Sequence, residues 1–167
     1  MKILWFFIAL LLLLTPGCEK DDICDEYART TPRLIVSFYD FSNANNLKNV
    51  NALEVYGDGA NDVLGVYSSV NQIALPLRTT NDFTQYRFKL NSNNATASNT
   101  DYLQINYTRA DVYVSRACGF KTIFQLATPN GLVLTDEQPA DGTWIKNITI
   151  STPDISNEDE THVNIYF

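Results

Sequence analysis

The sequence predicts an all-β domain, a two-sheet antiparallel β-sandwich of about nine strands, and three observations predict it. Short apolar or alternating runs recur along the chain from Arg33 onward. Clusters of Gly, Asn, Asp and Pro separate them. After the apolar N-terminus, no window of about 11 residues or more keeps a helical period. A closed β-barrel is the alternative architecture.

The strands follow in order. Leu34–Phe41, Leu53–Tyr56 and Gln72–Leu77 are almost continuously apolar, which suits burial on both faces or a central position. Phe83–Leu90 shows the clearest alternation, Tyr86, Phe88 and Leu90 against Gln85, Arg87 and Lys89. Tyr102–Thr108 repeats it, with Leu103, Ile105 and Tyr107 on one side. Only Thr108–Asp111 separates Tyr107 from the next run, Val112–Ala117, so a hairpin is expected there. Phe120–Leu126 and Trp144–Ser151 come next. Thr161–Phe167 closes the series, with Val163, Ile165 and Phe167 on one face and His162, Asn164 and Tyr166 on the other. Gly57-Asp58-Gly59, Asn91–Asn94, Pro129-Asn130-Gly131 and Asp141-Gly142 carry turn chemistry. The 17 asparagines fall mostly in loops.

The first residues are address, not fold. Lys2 supplies a positive start, Ile3–Leu14 is an unbroken apolar run of 12, and Thr15-Pro16-Gly17 is small or chain-bending. These are the parts of a secretory signal peptide. A transmembrane helix needs about 20 apolar residues, more than this run offers. Cleavage between Gly17 and Cys18 places a cysteine first, the lipobox arrangement in which the thiol takes lipid. Thr15 stands where leucine is commonest. Ordinary secretion with Cys18 unmodified is the alternative. Two or three acyl chains at about 0.8 kcal/mol per buried CH₂ make such an anchor effectively permanent.

The expected divisions are a signal peptide over 1–17, a lipidated, charged tether over 18–32 and a β-domain over 33–167. With 12 basic and 19 acidic residues, the chain has a formal charge of −7 and no basic cluster, so it is a poor nucleic-acid binder. If Cys18 carries lipid, Cys24 and Cys118 remain, with one possible intramolecular pairing in an oxidising compartment; two unpaired thiols are the alternative. Glu19-Lys20-Asp21-Asp22 is a solvated linker or, through Lys20, Asp21 and Asp22, a surface-export signal.

Chemistry is sparse. His162 is the one histidine, and on the polar face of its strand it reads as a surface residue, not a triad member or zinc ligand. No Gly-x-Ser-x-Gly elbow occurs. Asp58, Asn61 and Asp62 give a weak calcium candidate that lacks EF-hand spacing and a closing glutamate. Neither catalytic residues nor a cofactor are expected. Tyr39, Phe41, Tyr56, Tyr67, Tyr113, Trp144 and Tyr166 complete the core or, left outside, supply contact area for a partner.

Cys18–Cys24, Thr31-Pro32-Arg33-Leu34 and above all Ser115-Arg116-Ala117-Cys118-Gly119-Phe120-Lys121 resemble a family of short Bacteroidota lipoproteins, chiefly flavobacterial, classified as a domain of unknown function. The resemblance spans essentially the whole chain after residue 17. It supports the Cys24–Cys118 pairing and implies no activity. The expectation is a non-enzymatic envelope module, held at the outer membrane by lipid and facing the cell surface in preference to the periplasm. Its expected partner is an envelope protein such as an outer-membrane barrel. A surface binder of glycan or host ligand is the alternative, and a glycoside-hydrolase-like enzyme a more distant one.

Overall fold

The computed structural model describes residues 23–25, 30–57 and 59–167. The chain divides into two compact units, Met1–Ala28 with Tyr113–Phe120, and Arg29–Val112 with Lys121–Phe167. Among the described residues, no helix is long and apolar enough to cross a membrane.

The described strands form two sheets. The first contains β1 (Leu34–Asp40), β2 (Asn43–Leu47), β5 (Gln72–Leu75), β10 (Asn147–Ile150) and β12 (Val163–Tyr166), ordered β10-β12-β1-β2 with β5 also on β1. The second contains β3 (Leu53–Gly57), β4 (Val63–Tyr67), β6 (Phe83–Leu90), β7 (Asn99–Ser115), β8 (Gly119–Leu126), β9 (Leu132–Asp136) and β11 (Asp154–Ile155). Its order is β11-β8-β7-β6-β3-β4, with β9 also on β7. The fold is an all-β sandwich, not a closed barrel.

The apolar run of β1 reflects its central position. On one edge it pairs in parallel with β12, Val36 opposite Val163 and Phe38 opposite Ile165. The other edge is divided between β5, along Leu34–Ser37, and β2, at Tyr39 and Asp40. Leu34, Val36, Phe38, Val163 and Ile165 join Leu53, Val55, Tyr86, Phe88, Leu103 and Ile105 in one buried cluster. The alternation in Phe83–Leu90 assigned these faces correctly. Tyr86 and Phe88 point in; Arg87 and Lys89 do not.

Three expectations need correction. Among the described residues there are twelve strands, not about nine. The additions include β2, whose Asn-Ala-Asn-Asn-Leu is exposed throughout and held by backbone pairing, so it leaves no apolar signal. No hairpin forms at Thr108–Asp111: β7 runs straight through as one strand of 17 residues. The chain turns later, between Ser115 and Gly119, where Gly119 takes φ +70° without the Cβ clash other residues meet. The residues 108–111 include no glycine to invite a tight turn.

The third correction is His162. It is 1% exposed, not a surface residue. Its Nδ1 accepts the Ile35 N–H at 2.9 Å, while the His162 backbone N–H donates to the Ile35 carbonyl at 3.0 Å. That bond requires an unprotonated Nδ1, and burial lowers the imidazole pKa, although a hydrogen bond to the Asn157 backbone and the charges of Glu160, Asp154 and Glu158 pull the other way. The unfolded chain therefore binds a proton near pH 6.5 that the folded chain resists. The stabilisation is fully present above that pH and is lost as the pH falls through it. The urea midpoint of wild type should drop more between pH 7.5 and 5 than that of His162→Asn, which keeps an acceptor but does not titrate. Equal drops would remove the assignment.

Candidate functional site

Among the described residues, the second sheet's outer face carries a concave surface. Register places Tyr56 opposite Arg87 and Arg87 opposite Tyr102, an aromatic–cation–aromatic row across three strands. The Arg87 guanidinium lies 4.0 Å from the Tyr56 ring centroid, an attractive contact because the ring face is negative. Tyr56 Oη donates to Glu54 Oε2 at 2.6 Å. That bond raises the phenol pKa and lowers the carboxylate's. Arg87 thus lies over the Tyr56 ring and beside Tyr102 in the sheet register.

Arg87 lines two cavities. The larger, of about 370 Å³, also has Lys89, Asn99, Glu137 and Asp141 on its wall. The smaller, of about 210 Å³, is bounded by Tyr102, Gln85 and the turn holding Gly59 and Asn61. Planar aromatic faces, a fixed guanidinium fork and amide groups suit recognition of a polar or anionic ligand. Glu137 and Asp141 add a carboxylate pair to the larger wall.

A second polar centre stands on the inward face of β7. Asp101 continues the apolar row Leu103–Ile105–Tyr107, is 0% exposed, and lies directly opposite Asp136 of β9. Burial raises its pKa to about 6, assisted by the charge on Asp136 and opposed by the backbone N–H groups of Ile145 and Trp144 and by the charge of Lys146. The Ile145 N–H donates to Asp101 Oδ2 at 2.8 Å.

In the smaller unit, Cys24 and Cys118 are joined by a disulfide with Cα atoms 4.8 Å apart, the pairing expected from the cysteine count. The Tyr113 and Phe120 rings meet edge to face at 5.4 Å, and both residues are exposed. Gly17, Cys18, Lys20, Asp21, Asp22 and Asp58 lie outside the described residues. Asn61 and Asp62 are exposed, and among the described residues no three His, Cys, Asp or Glu side chains are grouped to hold a metal ion. Trp144 is buried and donates to the Phe88 carbonyl at 3.2 Å. Tyr39 and Tyr166 stack at 5.5 Å across β1 and β12.

Sequence reasoning missed Arg87, Tyr102, Asp101 and Asp136 as a group. Asp101 had a signal: period 2 counted back from Leu103 puts an acid on the buried face. The Arg87 row had none, because three distant segments meet there only through strand register.

The fold and these sites define an all-β sandwich domain with a disulfide in the smaller unit. The chain belongs to a family of unknown function, DUF6452, whose model matches residues 52–167. No curated protein and no solved structure matches the chain.

Proposed function

We propose that the protein is a non-enzymatic module of the bacterial cell envelope, tethered to the outer membrane through lipid on Cys18. It binds another envelope component, with the Tyr56–Arg87–Tyr102 face as its recognition surface. The observation that carries the reading is the Cys24–Cys118 bridge. A disulfide persists in an oxidising compartment, and this one begins six residues after a cysteine that ends a signal-peptide pattern. Lys20, Asp21 and Asp22 favour display on the outer surface.

Membrane fractionation tests the anchor. Wild type should sediment with envelope vesicles and resist a high-salt wash, whereas Cys18→Ser should move to the soluble fraction. A serine variant that sediments as firmly as wild type overturns the proposal. The alternative partner is a glycan or host ligand, favoured by the two tyrosines flanking Arg87. Loss of cell binding to immobilised glycans on Arg87→Ala would select it over crosslinking to a membrane protein.

A further inference from the structure

We infer that Asn99, Asp101 and Asp136 form a binding site for a hard divalent cation, calcium, at the Asn99 end of β7. Three side-chain oxygens there are buried and have no hydrogen-bond partner: Asn99 Oδ1, Asp101 Oδ1 and Asp136 Oδ1. They occupy adjoining positions. Asp101 and Asp136 are directly opposed across β7 and β9, and Asn99 precedes Asp101 by two residues on the same face.

Each of the three uses its other terminal atom on a single loop. Asn99 Nδ2 donates to Asp141 Oδ1 at 3.0 Å and to the Gly142 carbonyl at 2.7 Å. The Gly142 N–H donates to Asp136 Oδ2 at 2.8 Å, and the Ile145 N–H to Asp101 Oδ2 at 2.8 Å. Gly142 makes both of its contacts at φ +91°, a conformation that glycine takes without strain. Flipping the Asn99 amide would break two hydrogen bonds, so its bare atom is an oxygen. The loop therefore aligns one amide and two carboxylates and leaves an acceptor free on each.

Buried acceptors without donors are destabilising, and two opposed carboxylates repel. Among the described residues, no cationic side chain forms an ion pair with Asp101 or Asp136; Lys146 acts on Asp101 only through its charge, its ammonium being hydrogen-bonded to the Thr143 carbonyl. A cation answers both deficits. Carboxylate and amide oxygens without sulfur or nitrogen select calcium or magnesium, and a partial ligand set completed by water suits the weak, roughly 10⁻⁴–10⁻³ M affinities of extracellular calcium modules.

The purified protein, stripped with chelator, should gain about 3–6 °C in melting temperature in 10 mM calcium chloride. Asp136→Asn should abolish that gain, and Asp62→Asn, in the exposed turn, should keep it. Terbium supplies a readout that needs no variant: Trp144, beside Ile145, should sensitise its emission, and calcium should quench it. No gain in wild type, or a gain that survives Asp136→Asn, overturns the site. Stability indifferent to calcium but falling as pH rises through about 6 overturns the site and assigns a proton to Asp101 instead.

Discussion

Replacing Cys24 and Cys118 together by alanine is expected to destabilise the protein by about 2–5 kcal/mol, lowering its melting temperature by roughly 4–20 °C. The upper figure follows from the chain-entropy model, in which closing a loop between residues 94 apart restricts the unfolded chain. The lower figure follows from what the fold already holds. The Thr122 N–H donates to Thr31 Oγ1 at 3.0 Å. Through that contact only 11 residues separate the two cysteines in the folded chain, seven on one side and four on the other. The bridge then adds the difference between closing a short and a long loop, about 2 kcal/mol. Thermal melts of wild type and the double alanine variant distinguish the limits. No change at all would mean that the bridge leaves the folding equilibrium untouched.

Phe88→Ala is expected to be at least as damaging, about 3–5 kcal/mol, because the lost ring leaves a cavity that the sandwich cannot collapse around. Phe88 is 0% exposed, packs edge to face on Tyr86 at 6.1 Å, and stands opposite Val55 and Asp101 in the sheet. Trp144 is fastened to its carbonyl, so the crossing chain rests on the same spot. Phe83→Ala, at the exposed start of the same strand, should change stability by less than about 1 kcal/mol. Urea unfolding of the two variants gives the comparison directly. Similar losses would contradict the assignment of the core face.

That face was legible in the sequence where one side of a strand is buried and the other wet. In β6 and β12, alternation told inward from outward residue by residue. β1 was legible as central because neither of its faces is free. Asn91, Asn130 and Gly142 take the left-handed backbone their turn clusters implied. The failures have physical causes. β2 is held by backbone bonds alone, and the second half of β7 is largely exposed, so periodicity fades where the strand continues. His162 follows the alternation of β12 but is buried with its Nδ1 on the Ile35 N–H of β1, a contact that strand period does not encode. The Arg87 row depends on register between segments about 15 to 30 residues apart, which is a property of the assembled sheet.

The oxygen trio and the anchor are independent. Calcium binding can fail with the tether intact, and the tether can fail while the sandwich stands.

Intact-mass analysis of the protein taken from its own membranes tests the anchor most directly. The predicted species begins at Cys18, carries two or three acyl chains on that residue, and is two hydrogens lighter than its reduced form through the bridge from Cys24 to Cys118. A chain that begins at Cys18 with a bare thiol, or one that retains residues 1–17, would contradict the account.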